Sequence, residues 1–182
     1  MRAVAERVGD ARRILVYGVT GSGKTTLAAR LADLTGIDWV AVDDHTWLPG
    51  WVPLPEEEQR RRFTEICAED SWILDSAYGI WSDIPLARAQ LVVGLDYPRL
   101  VSLGRLLRRT AVRIVDRREI CNGNVETLRE ALSRDSIVAW HFRSFRRKRE
   151  RLVAWEADPA APPVLRLRTP AETEAWLASL QA

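Results

Sequence analysis

The segment Gly18-Val19-Thr20-Gly21-Ser22-Gly23-Lys24-Thr25 restricts the fold more than any other part of this sequence. It matches the pattern G-x-x-x-x-G-K-[ST] at every fixed position. An apolar run at residues 14–17 precedes it, and leucines spaced as on one helical face follow it at positions 27, 31 and 34. A strand, a glycine-rich loop and a helix in this order form a phosphate-binding loop, or P-loop. We therefore expect this segment to bind the phosphates of a nucleotide.

The pattern predicts a role for each residue of the loop. The glycines allow the backbone close to a ligand, and successive N–H groups at the start of a helix face an anion. Lys24 is expected to reach the β- and γ-phosphates, and the hydroxyl of Thr25 is expected to bind Mg²⁺. Lys24 is one of only two lysines among 27 basic residues, the other being Lys148. The predicted nucleotide-binding residues are Gly18, Thr20, Gly21, Ser22, Gly23, Lys24, Thr25 and Thr26.

Alternation of apolar runs with helical segments predicts an α/β fold with parallel strands. Five runs have the character of buried strands: residues 14–17, 39–42, 72–74, 91–95 and 164–167. Helices are predicted at residues 24–34 and 55–69, from near Asn124 or Ser136, and after Thr169-Pro170, where threonine caps and proline takes the first position. The 182 residues fit one domain spanning 1–182.

Composition and charge exclude several classes of protein. The apolar share is ordinary at 47%, and no apolar run reaches the roughly 18 residues that a membrane helix needs. The basic start of the chain lacks the apolar core of a secretory signal. Cys67 and Cys121 are too few and too far apart for a disulfide framework or a zinc site. We therefore expect a cytoplasmic protein. Its net charge of +2 is nearly balanced.

Aspartates follow three of the predicted strands, at the carboxyl edge where open α/β sheets bind ligands. Asp75 and Asp96 are alternative partners for the Mg²⁺ of a nucleotide, and Asp75 is favoured because Asp96 leads directly into a turn. Asp43 and Asp44 follow the second strand. Such a pair binds a hydroxylated acceptor, orients Mg²⁺ through water, or accepts a proton from an attacking hydroxyl. An ordinary polar loop is the competing interpretation of the pair.

Two absent signatures favour phosphoryl transfer over hydrolysis. The guanine-reading N-K-x-D motif is missing, since Lys148 lies in the run RRKRE. No glutamate follows Asp75 or Asp96 to activate water, because Ser76 and Tyr97 stand there.

A segment at about residues 99–124 carries arginines in a pattern that suits a lid. Arg105, Arg109 and Arg113 recur at i, i+4 and i+8, on one helical face, and Arg117 continues beyond. Arginines on a mobile segment stabilise the charge that phosphoryl transfer develops. A nucleic-acid surface and an ordinary solvated face are the alternatives. Asn122-Gly123 predicts a turn joining two arginine-bearing helices, as in a short hinged lid. The second basic run, residues 143–151, is expected to be the exposed side of a long helix.

The chain resembles the small P-loop kinases related to adenylate kinase, and more narrowly the bacterial topology-modulation proteins. The matching pieces are GVTGSGKTTLA, DDHTWLPGW, SWILDSAYGIW, LDYPR, RREICNGNVETLRE and VLRLRTPAETEAWL, which span most of the chain. The resemblance implies a three-layer fold with a five-stranded parallel sheet and a short helical lid, and ATP with Mg²⁺ as donor. It implies phosphate and metal roles for Lys24, Thr25 and Asp75, and lid roles for Arg109, Arg113 and Arg117.

One departure from the nucleoside monophosphate kinases concerns the acceptor. Those enzymes commonly follow the third strand with Asp-Gly-x-Pro-Arg, whose arginine holds the acceptor phosphate. Here the run is Asp75-Ser76-Ala77-Tyr78, and the next arginine is Arg88. Acceptor recognition therefore differs from theirs, or Arg62 or Arg88 supplies it.

Together these features predict a phosphotransferase that moves the γ-phosphoryl group of Mg-ATP to a small acceptor, either a nucleotide or another metabolite. The catalytic candidates are Lys24, Asp43, Asp44, Arg109, Arg113 and Arg117, and the metal candidates are Thr25 and Asp75. The alternative is an ATP-sensing regulator that binds nucleic acid or a protein partner through its basic helices. The sequence leaves the acceptor and the oligomeric state open.

Overall fold

The computed structural model describes residues 11–181 apart from 118, 132, 134 and 135. Its strands are β1 (Arg13–Gly18), β2 (Trp39–Val40), β3 (Trp47–Leu48), β4 (Val52–Pro53), β5 (Trp72–Leu74), β6 (Leu91–Leu95), β7 (Glu119–Ile120), β8 (Asn124–Val125) and β9 (Val164–Leu167). Its helices are α1 (Lys24–Thr35), α2 (Glu56–Ala68), α3 (Asp83–Arg88), α4 (Arg99–Asp116), α5 (Leu128–Ala131), α6 (Ile137–Ala157) and α7 (Pro170–Ser179).

A five-stranded parallel sheet with the order β2-β5-β1-β6-β9 forms the middle layer, as predicted. Side chains of β1 alternate between its two faces. Ile14 and Val16 pack in a cluster with residues of α1 and α7, whereas Leu15 and Tyr17 pack with residues of α2 and α6. Helices therefore cover both faces, which explains why the central strands are continuously apolar. The remaining strands form two short antiparallel hairpins, β3–β4 and β7–β8.

Local signals set the helix ends close to where the sequence predicts them. The Thr169 side chain accepts a hydrogen bond from the Glu172 N–H (3.1 Å) with Pro170 as the first residue of α7. The Ser136 side chain caps α6 in the same way, so Ser136 is the correct one of the two predicted starts. The other predicted start, near Asn124, falls in strand β8, and the one-turn helix α5 begins four residues later at Leu128.

The second predicted strand is shorter than its apolar run. β2 ends at Val40, and Val42–His45 form a 3₁₀ turn instead. The reason lies in a distant residue, since the Val42 N–H donates to the Asp75 carboxylate (2.9 Å) and not to a neighbouring strand. Asp43 and Asp44 therefore stand on a turn beside the sheet edge and not at the end of a strand.

The segment predicted as a lid between two helices is built differently. One long helix, α4, carries Arg105, Arg109 and Arg113 and is followed by its cap residue Arg117. The hairpin β7–β8 then separates α4 from the one-turn helix α5. Cys121 and Asn122 both have positive φ angles (45° and 66°) at the tip of this hairpin. The turn signal at Asn122-Gly123 is thus confirmed, while the helix after it is only one turn long and begins at Leu128.

Candidate active site

The P-loop joins β1 to α1 and presses against helix α4. A Cβ atom added to Gly21 would lie 2.4 Å from the carbonyl oxygen of Ser102 and 2.8 Å from Cβ of Leu106. Gly21 also has a φ of +81°, which disfavours other residues. The loop therefore requires glycine here, both for its conformation and for its contact with α4.

Lys24 lies at the first position of α1 and is turned toward its own loop. Its Nζ donates to the carbonyl oxygen of Val19 (3.1 Å). Burial lowers the pKa of Lys24, and the carboxylates of Asp75 and Asp43 act in the opposite direction. These neighbours show that the ammonium group lies between the loop and the acidic edge of the sheet.

Thr25 and Asp75 form a direct pair beside Lys24. The Thr25 hydroxyl donates to Asp75 Oδ2 (2.7 Å), while Asp75 Oδ1 accepts from the Val42 N–H. Burial is the main cause that raises the pKa of Asp75. Among the described residues no cluster of three acidic, histidine or cysteine side chains could hold a metal alone. A hydroxyl with one carboxylate suits Mg²⁺, which is commonly bound by one or two protein ligands together with substrate phosphates and water.

Asp96, the alternative metal candidate, has other partners. Its carboxylate pairs with Arg149 (3.2 Å) and Arg166 (3.9 Å). It is buried and does not line the large cleft described below. Asp75 is thus the carboxylate that the fold brings to Thr25.

Asp43 is fixed by a network that sequence reasoning missed. The Tyr78 hydroxyl donates to Asp43 Oδ1 (2.5 Å) and accepts a hydrogen bond from Trp47 Nε1 (3.2 Å). Burial raises the pKa of Tyr78, and the Asp43 charge adds to that shift, so the phenol stays a donor. The network joins the turn after β2 to the loop after β5. Tyr78 carries no sequence signal of its own; counted from Asp75, it stands at the proline position of Asp-Gly-x-Pro-Arg, and Gly79 stands at the arginine position.

The predicted lid arginines divide into two groups. Arg105, Arg109 and Arg113 line the cleft, whereas Arg117 caps the C-terminus of α4, is exposed and does not line it. Arg113 pairs with Glu126 (2.9 Å). Arg109 is partly buried, and its Nε has no hydrogen-bond partner among the described residues. Burial lowers the pKa of Arg109, which leaves a poorly solvated cation facing the cleft.

Two asparagines fasten the β7–β8 hairpin to the β3–β4 hairpin. Asn122 Nδ2 donates to the carbonyl oxygens of Asp44 and Trp47, both at 2.7 Å. The buried Asn124 accepts from the Trp51 N–H (2.8 Å) and donates to the carbonyl oxygen of Leu48 (3.1 Å). These bonds explain why two motifs of the sequence, DDHTWLPGW and RREICNGNVETLRE, lie together. The tip of the β7–β8 hairpin thus forms one wall with the loop that carries Asp43.

A cleft of about 810 Å³ connects these parts. One end is bounded by carboxylates and the β7–β8 hairpin, the middle by the P-loop, and the other end by the start of α7. The first end is lined by Asp43, Asp44, Asp75, Glu119 and Cys121 and the middle by residues 21–26. The other end is lined by Tyr97, Pro170 and Thr173. Gly18 and Thr20 lie at the start of the loop, outside this lining.

Three predicted acceptor or surface residues lie elsewhere than expected. Arg62 donates to Glu58 (2.7 Å) and Arg88 to the carbonyl oxygen of Ala68 (3.0 Å), and neither lines the cleft. Lys148 is half-buried, contrary to the prediction of an exposed basic face, and donates to the carbonyl oxygen of Gly18 (3.4 Å). Burial lowers its pKa to about 7. Both lysines of the chain therefore contact the P-loop.

No protein-family model and no curated protein sequence matches the chain. No helix in the part that the structure describes has the length and apolar character needed to cross a bilayer.

Solved structures do match. A shikimate kinase from Acinetobacter baumannii in complex with shikimate aligns with a TM-score of 0.56 and 18% identity, over 97% of this chain and 95% of that one. A gluconokinase from Sinorhizobium meliloti 1021 gives 0.54 and 16%, over 92% and 90%. A deoxyadenosine kinase from M. mycoides gives 0.55 and 12%, over 92% and 96%. At these identities the likeness concerns the fold, and the chain has the α/β fold that small P-loop kinases share.

Proposed function

We propose that this protein is a phosphotransferase that moves the γ-phosphoryl group of Mg-ATP to the hydroxyl of a small acceptor. The observation that carries the proposal is the convergence of three groups in one cleft: the Thr25–Asp75 pair, the Asp43 carboxylate and the lid arginines. A nucleotide-sensing protein needs the first of these groups alone. The resemblance to the topology-modulation proteins belongs to this proposal as well.

The P-loop binds the phosphates of the donor. The N–H groups of residues 21–25 face an anion at the start of α1, and Lys24 exchanges its contact with Val19 for one with the β- and γ-phosphates. Thr25 and Asp75 are the protein ligands of Mg²⁺, which, when bound with ATP, neutralises charge on the phosphates. Burial raises the pKa of Asp75, and a nearby cation favours the charged carboxylate that metal binding requires.

Asp43 and the lid act on the transferred group. Asp43 accepts the proton of the acceptor hydroxyl as its oxygen attacks the γ-phosphorus, and the bond from that phosphorus to the β-phosphate oxygen breaks to leave ADP. Arg109 and Arg113 lie where charge develops on the phosphoryl oxygens. The free charge of Arg109 suits this task, since it holds no competing ion pair among the described residues.

Transfer is tested by incubating the protein with γ-labelled ATP, Mg²⁺ and a panel of hydroxylated metabolites. We expect label in an acceptor, and we expect Lys24→Ala to lower that rate by at least about 100-fold. Slow release of free phosphate with no labelled acceptor would contradict the proposal. The alternative, a regulator that binds nucleic acid through its basic helices, predicts instead DNA or RNA binding that weakens steeply with salt.

A further inference from the structure

We propose that the acceptor is a polyhydroxyl compound without a phosphate group, and that Tyr78 is the residue that positions Asp43 against its hydroxyl. This inference rests on the proposed function, because it concerns the acceptor of that transfer.

The first observation is the orientation of Asp43. Its Oδ1 is held by the Tyr78 hydroxyl, and the phenol is itself fixed by Trp47 Nε1 and by its edge-on contact with the Trp81 ring (5.7 Å between centroids). Both hydrogen-bonding functions of the phenol are therefore used within the protein. The hydrogen bonds of the described residues leave the second oxygen of the Asp43 carboxylate for a ligand in the cleft. One anchored and one available oxygen suit a carboxylate that receives a single hydroxyl.

The second observation is the distribution of charge along the acceptor wall. Asp43, Asp44 and Glu119 line this end of the cleft. An acceptor phosphate at this wall would meet like charges, which disfavour binding. A neutral hydroxylated molecule instead finds acceptors for several of its O–H groups, since ionised carboxylates accept hydrogen bonds at both oxygens.

The third observation is how the nearby arginines are engaged. On the elements around this wall, Arg60 binds both carboxylate oxygens of Asp83 (2.7 and 3.0 Å), and Arg62 and Arg88 have the partners described above. Arg151 lies against Gly79, outside the lining of the cleft. Of the basic residues that line the cleft, Arg113 pairs with Glu126, Arg30 pairs with Glu174 (2.6 Å), and Arg105 donates to the carbonyl oxygen of Ser22 in the P-loop (3.1 Å). Lys24 and Arg109 serve the donor phosphates in the proposed function. The described residues thus leave no separate cation for a second phosphate group.

The composition of the wall agrees with an acceptor that carries both apolar and hydroxyl groups. Trp39 and Ala41 line the cleft just before the turn that carries Asp43. An indole face beside carboxylates offers apolar contact together with hydrogen-bond acceptors, the combination that the C–H and O–H groups of a sugar or cyclitol need.

A binding experiment tests the absence of an acceptor phosphate site directly. Titration calorimetry compares a non-hydrolysable ATP analogue with a diadenosine pentaphosphate, which carries donor and acceptor phosphates in one molecule. We expect the pentaphosphate to bind no more than about threefold more tightly than the ATP analogue. A gain of about 100-fold or more would show a second phosphate site and would overturn this inference, while leaving the proposed function standing.

A transfer experiment tests the acceptor class and Tyr78 together. Labelled ATP is offered with phosphate-free sugars, cyclitols and nucleosides in one arm, and with nucleoside monophosphates and sugar phosphates in the other. We expect Lys24-dependent labelling in the first arm. Labelling confined to the second arm would overturn the inference alone, and no Lys24-dependent labelling in either arm would overturn the proposed function with it.

Tyr78→Phe keeps the ring and removes the hydroxyl. We expect kcat to fall by about 10-fold or more while KM for ATP stays unchanged, because the variant affects only the orientation of Asp43. Tyr17→Phe is the matched control, since it removes a phenol hydroxyl outside the cleft lining and should leave kcat within about twofold. A normal kcat for Tyr78→Phe, or an equal loss in both variants, would refute the positioning role.

Discussion

Gly21→Ala tests whether the P-loop depends on its contact with helix α4. Alanine at a φ of +81° costs roughly 1–2 kcal/mol in backbone strain. Its methyl group would also lie 2.4 Å from the Ser102 carbonyl oxygen, which belongs to helix backbone and cannot rotate away. Overpacking of this kind costs about 1–3 kcal/mol. We therefore expect Gly21→Ala to lower the free energy of unfolding by about 2–5 kcal/mol.

Gly36→Ala provides the matched control for the collision. Gly36 ends helix α1 with a φ of +69°, and an added Cβ atom would meet nothing within 4 Å. This variant carries the backbone strain alone, about 1–2 kcal/mol. The difference between the two variants, about 1–3 kcal/mol, is therefore the cost of pushing the loop against α4.

Urea unfolding followed by tryptophan fluorescence measures both costs, and calorimetry with an ATP analogue measures binding. We expect Gly21→Ala to weaken nucleotide binding by at least about 10-fold, because a shifted loop no longer aims its N–H groups at one anion. We expect Gly36→Ala to bind normally. Equal destabilisation by the two variants, or unchanged nucleotide affinity in Gly21→Ala, would refute the reasoning.

Three further predictions concern single charged residues. Asp75→Asn should abolish Mg²⁺-dependent transfer yet raise the free energy of unfolding at pH 7, because burial raises the pKa of Asp75 and the ionised carboxylate therefore costs stability above that pKa. Asp96→Asn should destabilise the protein, because it removes the ion pairs with Arg149 and Arg166, without changing the Mg²⁺ dependence of transfer. The reverse pattern would reassign the metal ligand to Asp96. Arg109→Ala should lower kcat by about 100-fold or more, whereas Arg108→Ala, at an exposed position of the same helix, should lower it by less than about twofold. Equal kcat values for the two variants would contradict the proposed role of Arg109 in stabilising the transferred group. Burial holds the pKa of Lys148 at about 7, below its ordinary value of 10.5, so as pH falls from about 10 toward 7 the unfolded chain takes up a proton here that the folded chain does not, and the free energy of unfolding falls. Lys148→Met should therefore gain stability relative to the wild type over this window in urea titrations. A constant difference between the two proteins would contradict the burial of Lys148.

The parts of this protein that the sequence predicts well are governed by short-range rules. The P-loop residues, the central strands and the Thr169 cap follow from patterns within a few positions of one another. The errors arise where a distant partner decides the local structure. Val42 leaves the strand because its N–H donates to Asp75, 33 positions away in the chain. The hydrophobic periodicity of the two segments does not predict that hydrogen bond.

The same distinction applies to the candidate site. Asp75 lies at the carboxyl edge of the sheet beside Thr25, as expected, because the carboxyl ends of parallel strands meet at one edge of a sheet. The burial of Lys148 was missed because it depends on how α6 packs against β1, and a run of basic residues in a helix gives no information on that packing. Tyr78 was missed for a related reason. Its hydrogen bond to Asp43 joins two loops whose relative position only the assembled sheet determines.

Helix α4 connects the two halves of the cleft. Near its start it contacts Gly21 of the P-loop through Ser102, and from its C-terminus the hairpin β7–β8 reaches the loop that carries Asp44 and holds it through Asn122. A displacement of α4 therefore changes the phosphate-binding loop and the acceptor wall together. Arg105, Arg109 and Arg113 lie on this helix between the two contacts. In the proposed function, the position of α4 that seats the P-loop therefore also sets where these cations face the transferred group. In the proposed function, donor binding, acceptor enclosure and charge stabilisation would thus depend on the position of one helix.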